Sequence, residues 1–159
     1  MIFSSVQSAL EEQHFRIVDK DHNRPWGGFF VIAEEQAQRF ADVYFDGLDV
    51  SSLKISGKLS PKILMIAPNK RLSWQYHHRR AEIWRVIQGK AGVVRSNTDS
   101  ENELELFNVG ATVTLLQGER HRLVGLEDYT VLAEIWQHTD VANPSDEEDI
   151  VRLQDDFGR

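Results

Sequence analysis

Four residues in this sequence carry the densest chemical content: Gln75, His77, Glu82 and His121. Gln75 and His77 stand two apart in a run that reads as a strand, so their side chains share one face. Four residues then separate His77 from Glu82, enough for a tight turn into the next strand, Ile83–Gln88. His121 follows Gly118 on a later strand. Two imidazoles, a carboxylate and an amide oxygen brought together suit one divalent ion, with zinc as the first expectation and manganese, iron, cobalt or nickel as the others. On an octahedral ion four protein ligands leave two positions open, whereas on a tetrahedral ion they complete the shell. The chain has no cysteine, so thiolate ligands and disulfides are excluded. That usage also agrees with a reducing, cytoplasmic setting.

The other histidines read differently. His78 adjoins His77 and must point the opposite way, to the surface. His14, His22 and His138 have no partner at ligand spacing. The formal net charge of −7 excludes a nucleic-acid partner, which needs a basic footprint. The charge is uneven, however. Between Lys54 and Arg95 ten Lys or Arg residues face one acid, Glu82, so this segment carries +9 and the remainder −16. A local positive field in an acidic protein suits a small anionic ligand. The longest apolar run, Ile63–Ala67, is too short to span a bilayer, and the start lacks the pattern of a signal peptide.

The elements that must position these residues are mostly short strands. Lys62–Ala67, Leu72–His77, Ile83–Gln88, Ala91–Ser96, Leu104–Phe107, Thr112–Leu115, His121–Val124 and Thr130–Trp136 are rich in Val, Ile, Leu and aromatics, with turn residues between them. Such spacing predicts an all-β barrel or jelly roll. Two helices are expected ahead of it: one capped by Ser4 or Ser5 and ending near His14, the other over Glu34–Phe45 with Ala37, Phe40, Ala41 and Tyr44 on one face. The charged tail 145–159 is expected to cross the surface, with a short helix as one option. One domain is expected throughout: an N-terminal segment 1–60, a barrel 61–137 and a tail 138–159.

Pro68-Asn69, then Gln75, His77, Glu82 and Gly89 at their spacings resemble the first cupin motif, and Gly110, Leu116, Gly118 and His121 resemble the second. More closely, Arg24-Pro25-Trp26-Gly27, the stretch Leu72–Trp84, Glu134–Gln137, Glu148–Arg152 and Asp155–Arg159 resemble the type II mannose-6-phosphate isomerase domain. That domain often forms the C-terminal part of bifunctional mannose-1-phosphate guanylyltransferase/isomerase enzymes, and the resemblance is to the isomerase part, expected here as a stand-alone domain. Arg79 and Ile83 depart from the histidines usual in the family, and the segment Ala33–Ser60 looks like an addition to it.

The resemblance implies a cupin double-stranded β-helix and a metal-dependent aldose–ketose isomerase, acting on mannose 6-phosphate, fructose 6-phosphate or a related sugar phosphate through a metal-stabilised enediolate. It also implies roles for residues outside the metal quartet. Glu134 is the candidate base, with an ion pair to one of the arginines as its alternative. Arg80 is a candidate for catalysis and phosphate contact, with Lys62 and Arg152 completing a phosphate clamp. Trp26, Trp74, Trp84 and Trp136 either line the pocket or pack the core. A non-catalytic cupin that binds a sugar or anion, and a metal-dependent cupin oxygenase, are the competing readings. Pairing of sheet edges into a homodimer is also compatible with the fold.

Overall fold

Residues 1–53, 58–140 and 142–159 are described by a computed structural model. Lys54, the first residue of the basic run, lies outside them. Helix α1 (Ile2–Glu12) starts at Met1, and Ser4 and Ser5 sit in its first turn, donating their hydroxyls to the Met1 carbonyl instead of capping the helix. Two strands follow that the sequence reading did not foresee, β1 (Ile17–Arg24) and β2 (Gly27–Ile32). The first is charged and half exposed at a sheet edge, so it carries no apolar alternation to betray it. The Arg24–Gly27 stretch is the hairpin turn between them. Gly27 is required there, since its φ is +143° and an added Cβ would lie 1.9 Å from the Met65 carbonyl oxygen. A 3₁₀ turn (Glu34–Gln36) and α2 (Ala37–Tyr44) occupy the stretch expected to be helical.

The remaining strands fall close to expectation: β3 (Lys62–Ile66), β4 (Trp74–Tyr76), β5 (Arg80–Gln88), β6 (Ala91–Ser96), β7 (Glu105–Phe107), β8 (Thr112–Leu115), β9 (Arg120–Val124) and β10 (Thr130–His138). The tail holds no helix. It forms β11 (Val151–Gln154), which pairs with β4. Among the described residues the strands make two antiparallel sheets, β1-β2-β3-β10-β5-β8 and β11-β4-β9-β6-β7. This is the cupin double-stranded β-helix.

The larger sheet is buried on both faces, which is why β3, β5 and β10 read as nearly continuous apolar runs. Its outer face, with Ile63, Met65, Ile83, Ala133 and Ile135, packs with Val6 and Leu10 of α1 and Phe40 and Ala41 of α2. Its inner face, with Leu64, Ile66, Trp84, Val86 and Leu132, meets Val93 and Leu123 of the smaller sheet. Burial of a Leu- or Ile-sized side chain stabilises by roughly 1.5–3 kcal/mol, so both faces contribute to stability. The helices cover one face and leave the barrel interior to the other, and polar residues at one end of that interior form the site.

Candidate metal centre

Glu82 lies on the inner face of β5, opposite Leu115 of β8 and Trp136 of β10. His121 lies on β9, directly opposite Gln75 of β4, and His77 follows immediately after β4. The two sheets therefore supply the ligands from facing walls. His77, Glu82 and His121 are all buried, and one ligand atom of each lies within 4.8 Å of the others. Glu82 Oε1 is 3.3 Å from His121 Nε2, and Glu82 Oε2 is 3.7 Å from His77 Nε2.

The imidazoles are set for coordination. His77 Nδ1 donates to the Asp149 carbonyl at 2.7 Å and His121 Nδ1 to the Glu119 carbonyl at 2.9 Å. With Nδ1 protonated in both rings, each Nε2 keeps a lone pair directed at Glu82. His121 Nε2 is buried without a hydrogen-bond partner. A buried acceptor left unsatisfied costs about 1–3 kcal/mol, and a cation between the three side chains removes that cost. The donor set and its burial fit a divalent ion. Gln75 lies beside the three with its amide nitrogen towards them: its Oε1 accepts from Ser73 Oγ at 2.5 Å while its Nε2 faces His77 Nε2 at 3.5 Å, so only a rotated amide would present oxygen to an ion. The Ser73 hydroxyl can accept as well as donate, so the exchanged amide keeps that bond.

Burial dominates the His77 imidazole and, with Arg80 and His121 beside it, pushes its pKa down to about 4. It is therefore neutral at neutral pH, as a ligand must be. Burial also works against an ionised Glu82, but His77, Arg80 and His121 together offset it and hold the carboxyl well below the usual carboxylate range.

Glu134 sits on β10, opposite Lys62 of β3 and Trp84 of β5, on the same inner face as Glu82. Its Oε1 accepts from Trp84 Nε1 at 3.0 Å. Burial, reinforced by the charge of Glu82, raises its pKa to about 7 in spite of Lys62 and Arg80. The Glu134 carboxylate has no arginine partner among the described residues. Arg80 is buried, with Nε donating to Glu82 at 3.1 Å and Nη1 to Ser145 Oγ at 3.1 Å and the Asp146 carbonyl at 2.8 Å, while Nη2 lies 3.5 Å from His77 Nε2. Its guanidinium also stacks on Trp136 at 3.8 Å. Lys62 pairs with Glu147 at 2.7 Å. Arg152, on β11 directly opposite Gln75, has no ion-pair partner among the described residues.

A cavity of about 140 Å³ joins these groups, lined by Trp26, Lys62, Gln75, Arg80, Glu82, Glu134 and Arg152 among others. A larger hollow of about 660 Å³ lies at Asn69, Lys90 and Asp128, with no histidine and no cluster of ligands among the described residues that line it. The candidate residues gather at the smaller cavity. Of the tryptophans, Trp26 lines it, Trp84 holds Glu134, Trp136 carries Arg80, and Trp74 donates to the Asp99 carbonyl. His78 is exposed, His22 stacks on Phe3, and His138 bonds the Lys58 carbonyl, all away from the ligand cluster. Sequence reasoning missed Glu147 as the partner of Lys62, Trp84 as the donor to Glu134, and the contact of Asp149 with His77. Trp84 and Asp149 both lay in stretches already singled out, Leu72–Trp84 and Glu148–Arg152, whereas Glu147 lay just outside the second.

Comparison with known proteins identifies the family and the fold. The family profile described as mannose-6-phosphate isomerase C-terminal matches residues 33–155. That range runs through 33–60, which the sequence reading set apart as an addition, and leaves out residues 24–28. The chain is 29% identical over 137 residues to the xanthan biosynthesis protein XanB of Xanthomonas campestris pv. campestris, covering 86% of this chain and 23% of that protein. It is 27% identical over 124 residues to the alginate biosynthesis protein AlgA of Pseudomonas aeruginosa, covering 78% of this chain and 24% of that protein. The chain thus spans about a quarter of the length of these curated relatives. Among solved structures, the capsular polysaccharide assembling protein CapF of Staphylococcus aureus superposes with a TM-score of 0.55 at 14% identity, covering 88% of this chain and 34% of that one. This last likeness concerns the fold alone. Among the described residues no helix is long and apolar enough to cross a membrane.

Proposed function

This chain belongs to the mannose-6-phosphate isomerase C-terminal family, and from that premise we propose that it interconverts an aldose phosphate and its ketose isomer, mannose 6-phosphate and fructose 6-phosphate being the first pair to test. One observation carries the reading: a buried carboxylate with its pKa near 7, Glu134, shares a cavity with a ready-made divalent-ion site. Gln75, His77, Glu82 and His121 would hold the ion, zinc foremost, with manganese, iron, cobalt and nickel as alternatives. A divalent ion there supplies Lewis-acid stabilisation to the sugar oxygens that become negative as the proton leaves.

The chain's own residues do the rest. Glu134 takes the proton from the carbon beside the carbonyl and returns it to the neighbouring carbon; a base poised near neutral pH suits both transfers. Trp84 holds the carboxylate in place through its indole N–H. Arg152, beside Gln75 and without an ionic partner, and Lys62, once released from Glu147, serve the phosphate. Arg80 fixes Glu82 through Nε and the segment 145–146 through Nη1, and its Nη2, on the wall of the cavity, is left to serve the phosphate as well. Trp26 and Ile150 of the tail line the cavity and supply its apolar wall.

The test is hydrogen exchange at C2 of mannose 6-phosphate in deuterated water, with and without chelator. Metal-dependent incorporation of deuterium supports the reading. Metal-dependent binding without exchange supports a sugar-binding cupin instead, and oxygen consumption with neither supports an oxygenase.

A further inference from the structure

The histidine ligands are oriented in two different ways. His121 Nδ1 is held locally, by the carbonyl of Glu119 two residues earlier. His77 Nδ1 is held by a carbonyl 72 residues away, that of Asp149. The Asp149 side chain explains how so distant a carbonyl is kept in place. Its Oδ1 accepts from His78 N at 2.9 Å, and its Oδ2 from Arg79 N at 3.0 Å and Ser145 Oγ at 2.6 Å. Both backbone donors lie in the turn that directly follows His77. Asp149 therefore grips that turn with its carboxylate and the His77 ring with its carbonyl, and it is only 5% exposed.

A second tie runs to the carboxylate ligand. Arg80 binds Glu82 through Nε and the segment Ser145–Asp146 through Nη1. His77 and Glu82 thus both lean on residues 145–149, whereas His121 does not. We propose that Asp149 is a positioning residue of the metal centre, and that docking of the segment 145–149 and binding of the divalent ion are thermodynamically coupled through His77 and Glu82. The proposal rests on the metal reading of His77, Glu82 and His121. Coupling is reciprocal: if the docked segment strengthens ion binding, the ion must strengthen docking by the same factor.

Three measurements on the full chain test this, with Zn²⁺ as the probe. In competition against a chromophoric chelator, Asp149→Ala is expected to bind Zn²⁺ about 10–100-fold more weakly, the usual cost of removing the partner that orients a ligating histidine. The His77 Nδ1–H resonance, present in the wild type, should broaden or vanish in Asp149→Ala, while that of His121 persists. In the wild type, Zn²⁺ should slow amide hydrogen exchange across 145–151. Ser145→Ala, which removes one of the three donors to Asp149 together with the Arg80 Nη1 contact to Ser145 Oγ, should show a smaller affinity loss, since His78 N and Arg79 N still hold Asp149 and the Asp146 carbonyl still holds Arg80. A purely structural role for Asp149 predicts something else: lower thermal stability, unchanged Zn²⁺ affinity and an intact His77 signal, and that result overturns the proposal. If Asp149→Ala does not fold, the exchange experiment decides, and equal exchange across 145–151 with and without bound Zn²⁺ sinks the coupling. A wild type that takes up no divalent ion brings down the metal reading itself, whereas one that binds the ion without protecting 145–151 loses only the coupling.

Discussion

Replacing Glu134 by Gln tests the central acid–base inference without requiring a known substrate. Glutamine keeps the shape and an acceptor for the Trp84 N–H, and it removes only the titration. Burial raises the Glu134 pKa from the ordinary 4.5 to about 7. A raised folded-state pKa contributes stability that is fully present below the unfolded value and is lost as pH rises through the folded one. For about 2.5 units at roughly 1.4 kcal/mol each, metal-free wild type should lose on the order of 3 kcal/mol from this group between pH 4.5 and 8. The carboxyl is only 5% exposed, so solvent screening takes little from that figure. Between pH 5 and 8 the stability of wild type minus that of Glu134→Gln should therefore fall by about 2–3 kcal/mol. Urea unfolding of both chelator-treated proteins at several pH values measures this directly, and taking the difference cancels the opposite trend from His77. If the two stabilities run parallel across the range, Glu134 does not titrate near neutrality and its role as the base fails. With active protein, the same variant should lose roughly 10²–10⁴-fold in turnover while retaining its metal.

Other outcomes follow from the same geometry. The His77 pKa is pushed down to about 4, so its contribution is fully present above about 6.5 and is lost as pH falls through 4; metal content measured after acid dialysis should drop in that window. Lys62→Met should weaken binding of mannose 6-phosphate by about 1.5–3 kcal/mol, measured by titration calorimetry, and should shift the rate profile to higher pH because Lys62 lowers the Glu134 pKa. Glu147→Gln should tighten the same binding, since the phosphate no longer competes with a carboxylate 2.7 Å from Lys62. Gly27→Ala should prevent folding or cost several kcal/mol, because its Cβ would collide with the Met65 carbonyl, whereas Gly118→Ala, with φ +74° and open space around it, should cost only about 1–2 kcal/mol by thermal melting.

By itself, the sequence determined the eight strands from β3 to β10 and brought forward His77, Glu82 and His121, which the fold clusters, because both rest on local rules. Alternation places Gln75 and His77 on one face, and turn residues mark where each strand stops. It did not determine β1, β2 or β11. The charged residues of β1 sit at a sheet edge, and the exposed residues of β11 pair with β4 without an apolar face to read. Ser4 and Ser5 looked like caps because capping is a matter of residue type, but the helix began earlier, at Met1. Only the tertiary structure decided how the candidate residues divide their work. A sequence shows Arg80 as a free cation; the fold places it against Glu82, Ser145 and Asp146 and leaves Arg152 without an ionic partner among the described residues. The raised pKa of Glu134 is likewise a property of its surroundings, since desolvation depends on what three different strands bring around the carboxylate. The orientation of His77 by Asp149, 72 residues away, depends on the tail returning to β4, a long-range contact that no local pattern encodes.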